Sequence, residues 1–209
     1  MATSLFTLSV FSNMIIFIII GVVVLVALII GLVLSWYKKV PQGKAIVRTG
    51  KGGTRVDFNG MTVIPVLHRL EWMDISIKKV EISRTGKDGL ICKDNMRADI
   101  KVVFFVRVNP KVEAVINVAQ TIGVDRASRE DTLNQLFEAK FSEALKTVGK
   151  RFDFVELYDA RERFRSEILE TIGTQLNGYV LDDAAIDYLE QTPVTFLQDD
   201  NILDSEGIK

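Results

Sequence analysis

The run LICKDNMRADIKVVFFVRVNP, residues 90–110, decides the fold. In its second part Ala98, Ile100, Val102, Phe104, Val106 and Val108 fall on one side of an extended chain, and Arg97, Asp99, Lys101 and Arg107 fall on the other. That period of two belongs to a strand with one face in a core. Asp94-Asn95 is turn chemistry, so residues 89–93 and 96–108 read as a β-hairpin, and Asn109-Pro110 stops its second arm.

Beyond Pro110 the apolar period changes to 3.6. Residues 111–122 predict a helix, and Ser128 is the expected N-cap of a longer one reaching Gly149, with Asp131 at capping-box-like spacing. Leu133, Leu136, Phe137, Phe141, Ala144, Leu145 and Val148 form its apolar stripe. Asp153 and Glu156 repeat the cap spacing for a short turn. Asp159 opens a helix along which Ala160, Phe164, Ile168, Ile172 and Leu176 recur, and Gly178 is the expected residue just past its end. Residues 179–189 return as a strand with Val180, Ile186 and Tyr188 on one face, and a polar, acidic stretch follows from Gln191.

Upstream, KAIVRTG (residues 44–50) alternates as a strand, Lys51-Gly52-Gly53 turns the chain into residues 54–58, and Asn59-Gly60 turns it again. A third antiparallel strand is expected over residues 61–67. It is apolar almost throughout and holds Pro65, which lacks an amide donor and belongs at a sheet edge or a strand end. Two readings stand for it: a buried strand, or an edge dipping into a bilayer with Met61, Val63, Ile64, Pro65, Val66 and Leu67 facing lipid. Residues 70–76 and 79–83 are two further short strands, which makes the fold class α+β.

The bilayer enters because of MIIFIIIGVVVLVALIIGLVLSWY, residues 14–37, which contains no charge. At 1.5 Å per residue it reaches about 36 Å, enough for the ~30 Å hydrocarbon core. No Lys, Arg, Asp or Glu precedes Lys38, whereas Lys38, Lys39, Lys44, Arg48, Lys51 and Arg55 crowd the far flank. Cations are retained on the cytoplasmic side, so residues 1–13 are expected as an external tail and everything after the span as cytoplasmic. Trp36, Tyr37, Lys38 and Lys39 suit the headgroup layer. The segment lacks the basic n-region and small-residue cleavage site of a signal peptide and is expected to stay attached.

The net charge of −1 conceals an asymmetry: residues 38–111 carry sixteen basic and seven acidic side chains, and residues 112–209 carry ten and twenty. The first half is therefore expected against anionic lipid. The basic half of one copy could also attract the acidic half of its neighbour. Catalysis has few candidates. His68 is the single histidine and Cys92 the single cysteine, both read as structural, which leaves no internal disulfide and no cysteine metal site. Residues 49–54, TGKGGT, lack the spacing of a phosphate loop. The charges at Arg161, Glu162, Arg163, Asp182 and Asp183 read as solvated surface, and no cofactor, metal or nucleic acid is expected.

Four segments together, AIVRTGKGG (residues 45–53), GMTVIPVLHRL (60–70), residues 90–110 and FEAKFSEALKTVG (137–149), resemble the stomatin/prohibitin/flotillin superfamily, SPFH or band 7, in its bacterial flotillin-like branch. The resemblance covers about residues 42–190. It implies a single-pass protein of the bacterial inner membrane with a β-rich SPFH1 unit on the lipid (residues 38–88) and an α/β SPFH2 unit (89–190). Residues 191–209 would lead into a coiled coil. It further implies a non-enzymatic scaffold whose copies associate into a large ring or cage around a membrane microdomain. An NfeD-type membrane protein is the implied partner, and restraint of a membrane-bound protease is the alternative role.

Overall fold

Six alternate residues of strand β8 (Arg97–Val108), from Ala98 to Val108, are 0–2% exposed, so its apolar face is wholly enclosed. The computed structural model describes the backbone of residues 2–173 and 175–196, with side chains from Ile18 onward except at 174 and 175. Strand β6 (Lys78–Arg84) and the two-residue β7 (Leu90–Ile91) pair antiparallel with one edge of β8, and β10 (Tyr179–Gln191) pairs with the other. Short β9 (Gln175–Leu176) extends the sheet beyond β10. Asn95, at φ 59°, makes the turn between β7 and β8.

Helices cover the apolar face of this sheet. α3 (Glu130–Gly149) lies against β6 and β7, and α5 (Arg161–Ile172) lies against α3 and β10. Phe141 is fully buried, its ring centroid 4.3 Å from the tilted ring of Phe104 and 5.3 Å from that of Phe137, on which it stacks and which meets Tyr179 edge-on. The Tyr179 hydroxyl donates to the Ala127 carbonyl at 2.8 Å, satisfying the one polar atom in that aromatic cluster. Gly149 lets α3 approach the sheet, because a Cβ there would sit 2.6 Å from Leu90 Cδ2. The capping box of α4 (Phe154–Asp159) forms as its spacing predicts, between Asp153 and Glu156.

Four helical and strand details differ from expectation. Ser128 does not cap α3: Arg129 occupies that position, and the Ser128 hydroxyl donates instead to the Asp74 carbonyl at 2.6 Å, tying the helix start to another strand. Leu136 is 44% exposed, off the buried side of the stripe. α5 ends at Gly173 (φ 77°), not Gly178, and Asn177-Gly178 forms the tight β9–β10 turn with both φ values positive. The buried face of β10 is Tyr179, Leu181, Ala184 and Leu189, with Ile186 packed against it, rather than the Val180, Ile186, Tyr188 set. Two bulges, at the register shifts Leu181/Asp183 and Ile186/Tyr188, each insert one residue and reset the alternation.

Nearer the N-terminus, β2 (Lys44–Gly50) sits between β3 (Arg55–Asp57) and β5 (His68–Asp74). α2 (Val112–Thr121) packs on β2, β3 and β8 through Val115 and Val118, which joins this small sheet to the large one in a continuous core. β6 lies within residues 38–88 but hydrogen-bonds to β8, so the large sheet recruits the end of the first unit. Helix α1 (Ala2–Ser35) begins twelve residues before Met14 and stops short of Trp36 and Tyr37. Its stretch Ile18–Ser35 is long and apolar enough to cross a membrane and buries nothing against the rest of the chain. Of residues 191–209, expected to lead into a coiled coil, Gln191 ends β10 and Val194–Phe196 form a short 3-10 turn, and those from 197 onward lie outside the described residues.

Candidate membrane interface

The two groups of residues singled out for the membrane, though more than twenty positions apart in sequence, are brought together by one strand pair. β1 (Tyr37–Lys39) follows α1 and pairs antiparallel with β4 (Gly60–Thr62), Tyr37 opposite Thr62, Lys38 opposite Met61 and Lys39 opposite Gly60. Because β4 runs back toward the helix, the Val63 amide donates to the Trp36 carbonyl at 2.9 Å, and residues 64–67 follow it in the chain. Gly60 is required at this crossing, since a Cβ would lie 2.7 Å from the Tyr37 hydroxyl and 2.8 Å from the Lys38 carbonyl. Arg48 Nη1 donates to the Thr62 carbonyl at 3.0 Å, linking the pair to β2.

The expected strand over residues 61–67 is therefore corrected. It ends at Thr62, and residues 65–67 turn. Pro65 cannot donate to a ladder, and the Ile64 carbonyl instead accepts the amides of Leu67 and His68, both at 3.0 Å. Val63 is 5% exposed and packs inward, and Met61 and Ile64 are half-buried. Of the six residues, Pro65, Val66 and Leu67 form the exposed apolar tip, Val66 at 91% and Leu67 at 47%. Trp36 is half-buried, and Tyr37, Lys38 and Lys39 are exposed.

His68 positions that tip. Its Nδ1 accepts the Ile64 amide at 3.3 Å, so Nε2 carries the proton and donates to the Lys51 carbonyl at 3.3 Å. With both ring nitrogens held by backbone, the imidazole stitches the β2–β3 turn to the tip. Gly50 completes the seam: its φ is 140°, and a Cβ would stand 2.3 Å from the Leu67 carbonyl oxygen. The glycines of residues 49–54 thus serve a hairpin turn. Asp57 Oδ1 accepts the amides of Asn59 (2.8 Å) and Gly60 (3.2 Å), and these bonds hold its carboxyl below the usual value of 3.8.

The other charges and the thiol are engaged elsewhere. Cys92 is buried, and desolvation first, then the nearby Asp94 and Asp153, pushes its thiol up to about 12, which keeps it a protonated core residue. Asp182 pairs with Arg107 at 2.7 Å, and Asp183 pairs with Arg165 at 3.0 Å. Arg161 lies over the Tyr158 ring. Asp99, expected on the open face of β8, is only 8% exposed and accepts the Gly86 amide at 2.9 Å together with the Thr192 hydroxyl. Its role was hidden because its partners lie in a turn and just past the end of the returning strand.

The family model described as SPFH domain / Band 7 matches residues 38–190. The flotillin family inner membrane protein YqiK of Escherichia coli K12 is 36% identical over 191 residues, covering 90% of this chain and 34% of that protein. The flotillin family inner membrane protein sll1021 of a Synechocystis species is 25% identical over 198 residues, 92% of this chain and 29% of the relative. The chain thus spans about a third of the length of these relatives. An N-terminal apolar helix leading into a mixed α/β body that the family model covers from Lys38 to Glu190 places this chain in the SPFH, or Band 7, family as a bacterial flotillin-like protein.

Proposed function

We propose that this chain anchors a membrane scaffold in the bacterial inner membrane, with its N-terminus outside and its SPFH body on the cytoplasmic leaflet. The observation that carries the reading is the β1–β4 pair, which brings Val63, two residues before Pro65, onto the Trp36 carbonyl just past the apolar helix, with Lys38 and Lys39 in the same strand pair. Lipid excludes backbone groups without partners. At the tip Pro65 has no amide proton, and the Leu67 amide and carbonyl are bonded to Ile64 and Lys51, which lowers the number of backbone groups lipid would leave without a partner. The exposed cations beside it favour anionic headgroups, each contributing about 1 kcal/mol near such a surface.

Anchored copies held in one orientation present the same flank to each neighbour, and a head-to-tail contact that closes makes a ring. In this reading the helical unit supplies the lateral contacts, and the ring or cage encloses a membrane patch and its client proteins, an NfeD-type membrane protein among them. No reaction is assigned to the chain. Particle imaging of the complete protein in mild detergent tests assembly: a ring or dome of many copies supports it, and a monomer contradicts it. Stoichiometric co-purification with a protease whose cleavage rate it changes would favour a restraining subunit instead.

A further inference from the structure

A cleft of about 290 Å³ opens between the end of β6, the β6–β7 turn and the last turns of α3. Arg84, Lys87, Arg97, Lys146 and Lys150 line it against Asp88 and Glu143, which leaves three net positive charges. Cations from both halves of the sequence meet here. Among the described residues Arg84, Lys87, Lys146 and Lys150 make no ion pair, so the two carboxylates do not neutralise them. Arg84 Nε is buried and has no hydrogen-bond partner among those residues. A buried donor on a charged group is costly to leave unpaired, and an anion in the cleft supplies the acceptor.

The walls are shaped by contacts that do not use those four cations. Asp99 accepts the Gly86 amide at 2.9 Å, the Gly89 amide donates to the Gly86 carbonyl at 3.0 Å, and Arg97 Nη1 donates to the Lys87 carbonyl. Gly89 is required where this turn crosses the sheet, since a Cβ would lie 2.9 Å from both Arg97 Cγ and the Thr192 hydroxyl. A site shaped in advance leaves less ordering for a ligand to offset.

The lining also selects the ligand. A guanidinium offers a planar fork that matches carboxylate and phosphate, and lysines act as point charges around it. Three net positive charges favour an anion with two or more negative charges over a single carboxylate. The carbonyl end of α3, equivalent to roughly half a negative charge, opposes this only weakly. None of the described lining residues is aromatic, so a nucleobase would find no platform to stack on.

We propose that this cleft binds a phosphate group carrying two or more negative charges, with Arg84 as its anchor and Lys87, Lys146 and Lys150 as its charge clamp. The group belongs to a small soluble phosphate or to the headgroup of an anionic lipid, and the recognition chemistry is the same for both. Binding ties the β6–β7 turn to the end of α3. The site is independent of whether copies assemble.

Inorganic diphosphate titrated calorimetrically into the full chain in a non-ionic detergent is the test. Saturable binding to one site is expected, at least about tenfold tighter than that of acetate. Lys146→Gln should weaken it about two- to fivefold and Arg84→Gln about tenfold or more, whereas Lys140→Gln, on the same helix but outside the cleft, should leave it unchanged. Lys146 is exposed, so its variant reports on the cleft even if Arg84→Gln fails to fold. Repeating the titration in nanodiscs separates the sources, and both outcomes support the site: loss of diphosphate binding with phosphatidic acid but not with phosphatidylcholine identifies the lipid headgroup, and unchanged binding in both identifies a soluble phosphate. Absence of saturable binding up to about 10 mM diphosphate, acetate binding as tightly, or equal weakening by Lys140→Gln and Lys146→Gln would each overturn the proposal.

Discussion

The sheets beside the span and the helix-covered sheet behind them are held together differently. In the large sheet, β8 buries every other residue under α3 and α5, and the charges of its open face meet partners: Lys101 bridges Glu81 at 2.9 Å and Asp187 at 3.5 Å, and Arg107 bridges Asp182. Asp182 and Asp187 are the residues inserted by the two bulges of β10, so each bulge turns a carboxylate toward a cation of β8. Close to α1 the strands are three to seven residues long, and turn chemistry replaces area: Gly50, Gly60, Asp57 and His68 fix the backbone so that apolar side chains can point outward. The difference teaches which part can lose a core contact and which can lose a hydrogen bond.

The largest effect belongs to the aromatic centre. Phe141→Ala removes a ring packed against Phe104 and stacked on Phe137 and should cost about 3–5 kcal/mol, read as an earlier unfolding transition in detergent. Protection of the amides at the tip should change less than that of α3. Next comes Gly50→Ala, which forces a Cβ onto the Leu67 carbonyl and into a φ disfavoured for L-residues. A loss of about 2–4 kcal/mol is expected. Hydrogen exchange should place it at Leu67 and His68, with β8 unchanged.

His68→Ala removes two hydrogen bonds and should cost about 1–2 kcal/mol, seen as faster exchange of the Ile64 amide. Smallest is the acid response of Asp57. Its carboxyl is more acidic folded than unfolded, so its contribution is complete at neutral pH and fades as the pH falls below about 4. The Asn59 and Gly60 amides should lose protection over that range, and Asp57→Asn should remove the pH dependence at this turn.

Which features were legible in the sequence follows the same division. The alternation of β8, the Asp153–Glu156 capping box and the span could be read because each rests on local chemistry or a long regular pattern. The face of β10 could not, since two inserted aspartates shift a period of two without any Gly or Pro to mark them. Ser128 satisfied a distant carbonyl on β5 in place of its own helix, and Gly173 ended α5 where a longer apolar repeat ran on to Leu176. At the interface, the residue types of the 61–67 run were legible, but its fold into a strand, a buried Val63 and an exposed tip depended on pairing with β1, a partner more than twenty residues away.

The central claim is that this tip enters lipid beside the span, and a probe at Val66 tests it most directly. Cys92 is buried and its thiol protonated, so Val66→Cys can be labelled selectively with an environment-sensitive fluorophore in the complete protein in anionic vesicles. Val155, 64% exposed on α4, provides the aqueous reference through Val155→Cys. The account predicts that the Val66 probe emits to the blue of the reference, is quenched by nitroxide-labelled lipid and is shielded from aqueous iodide. Emission and quenching indistinguishable from the Val155 probe would contradict it.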